Sequence, residues 1–320
     1  MNYFALKDYA KRFFIFPLRN LFIRINGLLG NYGSVVWLIS EGRSGSTWLS
    51  SILSNDRTAL QVFEPFHPEV IGSKKGFEPY AYNDQLDRGS QIVKFYKKAF
   101  AGEIFHRRVN YDNRKLSYSG IIVKDIFVSL SSYAIYQHFK NVNVIILIRN
   151  PFDVILSKSK TSQKGWLWPV DLEIYLNNTK LMRRLDNEQF ELIQRIHKLG
   201  SLNEKQMVNW TLTYFITLSD FEADGPCILF YEKIKADPIG ELKKIKEKLG
   251  PSSTFFYGQY SSNKVALPSR TNLQNPSTLS FQDDIKHYFT NSEFETMSLL
   301  LGAFNLTRLY GEDGLEFPLD

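Results

Sequence analysis

The sequence predicts a three-layer α/β domain, a central and mainly parallel sheet flanked by helices, and three observations carry that prediction. Short aliphatic or β-branched runs alternate with helical patterns along the 320 residues, the alternation that gives parallel strands joined by helical crossovers. The runs are apolar almost throughout, as strands buried on both faces are. One of them passes through a turn of small residues straight into an amphipathic helix, the arrangement with which such sheets hold anions.

The first 34 residues form a basic, amphipathic segment ahead of this domain. Lys7, Lys11, Arg12, Arg19 and Arg24 stand there against Asp8 alone, so most of the formal charge of +6 lies in this segment. The rest of the chain has no extended basic patch of the kind that binds nucleic acid, which is therefore not an expected partner. Phe14, Leu18, Leu21, Phe22, Ile25 and Leu29 recur at helical spacing, but charges interrupt every stretch that could reach the about 18 residues of a membrane span. Two readings stay open, a helix packed on the domain and a helix lying on a membrane surface. The uninterrupted apolar core and small-residue cleavage site of a secretory leader are not clear here.

Residues 35–320 read as a single domain. Its candidate strands are Val35 to Ile39, Ala59 to Phe63, Ile121 to Val123, Val144 to Ile148 and Cys227 to Phe230. One helix is marked at both ends: Asp237 is the N-cap, Pro238 suits the first helical position, Ile239, Leu242, Ile245 and Leu249 share a face, and Gly250-Pro251 stops it. Stretches near 72–118 and 160–208 are polar, dotted with aromatics and without a clear strand, and read as insertions. Cys227 is the single cysteine, so an internal disulfide is excluded; in its apolar run it reads as a buried thiol.

The strongest signal is the strand Val35-Val36-Trp37-Leu38-Ile39-Ser40 running into Glu41-Gly42-Arg43-Ser44-Gly45-Ser46-Thr47-Trp48-Leu49. Glycines let backbone N–H groups converge on an anion, and the helix N-terminus adds its positive dipole end. An ATP-type loop would carry lysine directly after the second glycine. Ser46 stands there instead, with Arg43 before the glycine and hydroxyls at Ser44, Ser46 and Thr47, a set suited to a terminal phosphate held without a metal. A second strand-to-helix passage, Val144 to Ser157, has Arg149 at the strand end and Ser157 two turns on, able together to grip another phosphate.

Arg43-Ser44-Gly45-Ser46-Thr47 resembles the 5'-phosphosulfate loop of sulfotransferases that use 3'-phosphoadenosine 5'-phosphosulfate (PAPS), the tyrosylprotein and carbohydrate branches above all, and Arg149 with Ser157 resembles their 3'-phosphate motif. The resemblance covers residues 35–65, 121–160 and 226–250 and implies a P-loop-type fold, PAPS as sulfuryl donor and no metal. It also implies a place for Tyr231 near the adenine, contacts from Trp48, and a loop with Ser261, Ser262 and Lys264 closing over the 3'-phosphate. The tyrosylprotein branch has a further basic residue a turn after the serine; here that place is Thr161, with Lys160 beside it.

Sulfuryl transfer needs an acceptor hydroxyl deprotonated and the leaving phosphate neutralised. Glu64, at the C-terminal end of a candidate strand and 21 positions after Arg43, is the expected base, as in the tyrosylprotein branch, and its phenylalanine neighbours are expected to raise its pKa. His67 is the rival. Lys124, at another strand end, is placed to meet charge on the bridging oxygen, and Arg43 to hold the 5'-phosphate and stabilise the transition state. His106, His138, His197 and His287 lack metal-ligand spacing, and Trp166 and Trp168 read as core before they read as sugar platforms.

The expected activity is transfer of the sulfuryl group of PAPS to a hydroxyl of a carbohydrate or glycolipid, with a tyrosine phenol as the alternative. Phosphoryl transfer through a divergent ATP loop and a non-catalytic nucleotide-binding module at a membrane are the competing classes. The expected location is cytoplasmic, against a membrane face if the N-terminal helix lies on one, or the Golgi lumen if the chain is a truncated form.

Overall fold

The computed structural model describes residues 16–29, 32–54, 58–72, 76–113, 115–162, 170–250, 285, 287–312 and 314. Trp166, Trp168, Ser261, Ser262 and Lys264 lie outside the described residues.

Helix α1 (Phe16–Leu28) precedes β1 (Val35–Ser40), α2 (Ser46–Leu53), β2 (Ala59–Phe63), α3 (Pro68–Ile71), α4 (Gln91–Phe100) and β3 (Gly120–Asp125). Then come α5 (Ser132–Tyr136), β4 (Asn143–Ile148), α6 (Pro151–Ser162), α7 (Glu173–Leu176), α8 (Thr179–Met182), α9 (Asn187–Leu199) and α10 (Leu202–Phe221). Strand β5 (Cys227–Phe230), α11 (Tyr231–Ala236), α12 (Pro238–Leu249), α13 (Asn291–Ala303) and α14 (Thr307–Tyr310) complete the order.

The five strands form one sheet in the order β2-β3-β1-β4-β5, and every pairing is parallel. Each strand coincides with a candidate run of the sequence or exceeds it by one to three residues; β1, β3 and β4 are buried along both faces, whereas the edge strands β2 and β5 are partly accessible at Gln61 and Ile228. Side chains alternate between two cores. Trp37, Ile39, Ile121 and Ile146 point into the larger one, where the Trp37 ring lies 5.2 Å from that of Tyr96. Val36, Leu38, Ile122 and Ile145 face the smaller one, closed by Leu49 and Leu53 of α2 and Leu242 and Ile245 of α12. The stretches that read as insertions supply much of the larger core: Ile92, Tyr96 and Ala99 come from one, Tyr175, Leu181 and Ile193 from the other. Cys227 is buried, which pushes its thiol up to about 11.

Two details depart from expectation. In α12 the Asp237 carboxylate caps the helix by accepting from Gly240 N–H at 2.9 Å, but Ile239 is exposed while Leu242, Ile245 and Leu249 are buried. At 100° per residue Ile239 falls roughly 90° from the centre of the arc those three define. In α1 the apolar stripe marked by the periodicity is the outward one: Leu18, Leu21, Ile25 and Leu29 are exposed, and Ile23 and Asn26 enter the body instead.

Candidate active site

Because all strands run the same way, their C-terminal ends share one edge, where open parallel sheets bind ligands. Every strand delivers a candidate residue there. Arg43 follows β1, Glu64 is the first residue after β2, Lys124 is the penultimate residue of β3, Arg149 follows β4, and Tyr231 follows β5.

The loop after the central strand is shaped by backbone strain. Arg43 has φ 70°, unusual for a side chain of its size, and Gly45 has φ 87° as the N-cap of α2. Residue 45 must be glycine on a second count, since a Cβ there would stand 2.4 Å from the Tyr231 ring. The leading N–H groups of α2 have no intrahelical acceptors, and no N-cap side chain supplies one. Ser44 braces the loop rather than facing the cleft: it is fully buried, its N–H donates to Glu41 O at 3.3 Å, and its hydroxyl meets the Tyr214 hydroxyl at 3.2 Å. Ser46 is buried, and Thr47 and Trp48 are half-buried, with Trp48 edge-on to Tyr231 at 5.6 Å.

The two arginine motifs meet. Arg43 Nε donates to Ser157 Oγ at 3.0 Å, and Arg149 Nη1 donates to the Arg43 carbonyl at 3.0 Å. The Arg149 guanidinium lies 4.4 Å above the Tyr231 ring and pairs with Asp153 at 3.3 Å, yet its Nε is buried without an acceptor. Burial, and next the charge of Arg149, pull the Arg43 guanidinium below its ordinary value. Asp153 is pushed up to about 6 by burial, against the pull of Arg149.

At the other side of the loop, Glu64 sits at φ 45° with its N–H bonded to Lys124 O at 2.7 Å. Its carboxylate accepts from Lys124 Nζ at 2.5 Å and from Arg108 Nη2 at 3.0 Å, and the two lysine and glutamate side chains are nearly inaccessible. The expected rise in its pKa is reversed. Burial pushes it up, but the Lys124 charge and the hydrogen bonds of Lys124 and Arg108 outweigh burial and hold the carboxyl below its ordinary range. Lys124 pairs with Glu64 rather than its neighbour Asp125, which instead accepts from Tyr96 OH at 2.8 Å, Phe127 N–H at 2.8 Å and Phe66 N–H at 3.3 Å, fixing the turn that presents Glu64.

His67 caps α3: its Nδ1 accepts from Glu69 N–H at 3.1 Å. That bond places the proton of the neutral ring on Nε2 and leaves no free lone pair for a base. Burial, then Arg108, lower its pKa further.

Sequence reasoning missed four contributors. Arg108 lies in coil between α4 and β3, and no periodicity marks it. Tyr80 stands at φ 66°, held by its N–H to Phe127 O at 2.7 Å, and its phenol is within electrostatic reach of Glu64, Glu41 and Asp125. Behind the loop, Glu41 accepts from Lys158 Nζ at 2.5 Å, Asn209 Nδ2 at 3.0 Å and Thr213 Oγ1 at 3.2 Å, while Lys158 also reaches Gln206 at 2.7 Å. A charged residue between a buried strand and a glycine turn was the available signal for Glu41. Among the described residues no group of three or more His, Cys, Asp or Glu side chains is arranged to hold a metal.

The sulfotransferase domain profile matches residues 34–293, most of the chain and all five strands. The chain belongs to the sulfotransferase domain family. The fold and class of chemistry expected from the Arg43 loop hold, and members of this family generally take PAPS as donor. Among solved structures, the chain is similar to a sulfotransferase from Alicyclobacillus acidocaldarius, at 12% identity and a TM-score of 0.37, with 84% of this chain and 98% of that one covered. It is also similar to the sulfotransferase domain of the Synechococcus PCC 7002 olefin synthase, at 16% identity and a TM-score of 0.39, with 84% and 94% covered. No curated protein sequence matches significantly.

Proposed function

We propose that this sulfotransferase holds PAPS between the Arg43 loop and Arg149 and passes its sulfuryl group to a hydroxyl of a carbohydrate or glycolipid. The observation that carries the donor assignment is the meeting of two guanidinium groups from different strands. Arg149 donates to the Arg43 carbonyl at 3.0 Å, burial and next the charge of Arg149 depress Arg43, and Arg149 keeps a buried donor without an acceptor. Two cations crowded in this way favour anions at two points, as a nucleotide with separate 5'- and 3'-phosphate groups offers and ATP does not. The donor set fits: N–H groups of α2 and the side chains of Arg43, Ser46 and Thr47 for the 5' end, Arg149 and Ser157 for the 3' end, Tyr231 and Trp48 as the apolar wall beside them.

In the transfer, Glu64 takes the proton of the acceptor hydroxyl as its oxygen bonds to sulfur, and the bond from sulfur to the 5'-phosphate oxygen breaks with its electron pair left on that phosphate. Lys124 and Arg43 neutralise the charge that develops there. Glu64 is held ionised by its two cationic partners, which also weaken it as a base; the Lys124 ammonium must therefore leave it for the bridging oxygen as the proton arrives. The carbohydrate preference is supported by the family branches whose loop reads like Arg43-Ser44-Gly45-Ser46, an association rather than a geometric argument.

Calorimetry with 3'-phosphoadenosine 5'-phosphate (PAP) and with magnesium–ATP, followed by turnover of labelled PAPS in the presence of a chelator, tests the donor. Tight PAP binding and chelator-resistant transfer are expected; binding of magnesium–ATP alone overturns the assignment. Soluble glycan, glycolipid and tyrosine-peptide acceptors run in parallel decide the acceptor, and label on the peptide alone refutes the carbohydrate reading.

A further inference from the structure

Helix α1 is attached by a narrow seam. Ile23 is buried, Asn26 Nδ2 donates to Phe22 O at 2.9 Å and Leu116 O at 2.5 Å, Tyr32 OH donates to Ile23 O at 3.1 Å, and Arg24 stacks on Phe105 at 4.5 Å. The opposite side carries Leu18, Leu21, Ile25, Leu28 and Leu29, between 38% and 88% exposed. At 100° per residue these five fall within an arc of roughly 100°, one continuous aliphatic stripe. Singly exposed leucines need no explanation, but a contiguous stripe marks a surface that something covers.

The loop on which α1 rests extends the same character. Tyr111 and Leu116 are 64% and 55% exposed, and Arg107 and Lys115 beside them are exposed bases. By sequence the helix and its loop set six bases, Arg19, Arg24, Arg107, Arg108, Arg114 and Lys115, against Glu103 and Asp112, and the chain immediately before the helix adds Lys7, Lys11 and Arg12 against Asp8. An aliphatic stripe flanked by arginine and lysine complements an anionic lipid surface, where apolar burial and charge attraction add. Thirteen residues of helix reach about 20 Å, short of the about 30 Å hydrocarbon core, so the fitting pose is in the plane of the interface. Among the described residues no helix is long and apolar enough to cross a membrane.

We propose that α1, with the 103–116 loop beneath it, docks the protein on an anionic bilayer surface, the aliphatic stripe entering the headgroup–acyl boundary. The surface is tied to the active site through that loop, which meets α1 at Phe105 and Leu116 and carries Arg108 to Glu64. The proposal does not depend on which donor or acceptor the enzyme uses.

The test is sedimentation of the full chain with phosphatidylcholine vesicles, with and without phosphatidylserine. Binding to the anionic vesicles is expected, weaker by about tenfold or more on neutral vesicles, in high salt, or in the Leu21→Asp/Ile25→Asp variant. Both substituted positions are exposed, and unchanged PAP binding and thermal melting confirm that the variant folds. A chain that ignores anionic vesicles overturns the proposal. So does a dimer in solution that the double variant dissociates without any vesicle binding, because the stripe is then covered by a second copy.

Discussion

Among the described residues two glutamate–lysine pairs are buried at the same 2.5 Å, one on each side of the phosphate loop, and they are built differently. Glu41 and Lys158 lie behind the loop in a shell of matched partners: Asn209 and Thr213 serve the carboxylate, Gln206 the ammonium, and Tyr175 holds Asn209 in turn. Glu64 and Lys124 lie at the cleft, Glu64 on a backbone forced to positive φ, and their third member, Arg108, is one-third exposed and shared with Glu69 at 3.6 Å. A buried pair whose every group is satisfied fixes geometry, here tying the loop to α6 and α10. A pair held on strained backbone, with one partner reachable from solvent, can exchange partners and therefore do chemistry.

The largest effect that separates the two pairs belongs to Glu64. Glu64→Ala is expected to lower kcat by about 10²- to 10⁴-fold, the usual contribution of a positioned base, while PAP affinity stays within about twofold, because the proposed mechanism gives Glu64 no contact with the donor. Steady-state rates with calorimetry on the same preparation check both halves, and near-normal turnover removes Glu64 from the mechanism. Next comes the hidden pair. Lys158→Met strands the Glu41 carboxylate in the core and is expected to cost about 3–5 kcal/mol of stability by denaturant titration. Lys124→Met leaves Glu64 paired to Arg108, so it should lose turnover with a distinctly smaller stability loss. Equal destabilisation by the two lysine substitutions, with turnover kept in Lys124→Met, collapses the distinction between the pairs.

The same division separates the features legible in the sequence from those hidden in it. The inner strands β1, β3 and β4, buried on both faces, read as apolar runs, the edge strands β2 and β5 were legible although partly accessible at Gln61 and Ile228, and parallel topology then made the residues at the strand ends suspects before any contact was known. Glu64 was singled out in that way and by the resemblance, but the expected direction of its pKa was reversed: Phe63 and Phe66 adjoin it in the chain, whereas Lys124 and Arg108 reach it only in space. Arg108 comes from coil and Lys158 from the buried side of a helix, and neither place carries a periodic signal. The stripe of α1 was visible as a period of helix turns, but period alone cannot say which side is in; a single asparagine bonding to Leu116 O decided it.

The smallest expected effect is the sharpest test of how the cleft pair is tuned. With its pKa held below the ordinary carboxylate range, Glu64 stays ionised through neutral pH, and kcat/KM should fall only when pH drops through that depressed value. Removing Arg108 takes away one hydrogen bond and one charge but leaves burial, which pushes the other way, so the pKa rises. In Arg108→Gln the acid limb of kcat/KM should therefore move to higher pH, with kcat near pH 8 changed little. Two other carboxyls, Asp125 and Asp153, are pushed up to about 6 by burial, above the depressed range of Glu64, and protonate before it as pH falls. Their limb would not follow Arg108, since Asp125 is held by Tyr96 and backbone N–H groups and Asp153 faces Arg149. An acid limb that stays in place in Arg108→Gln therefore belongs to one of them, and Arg108 then does not set the charge of the base.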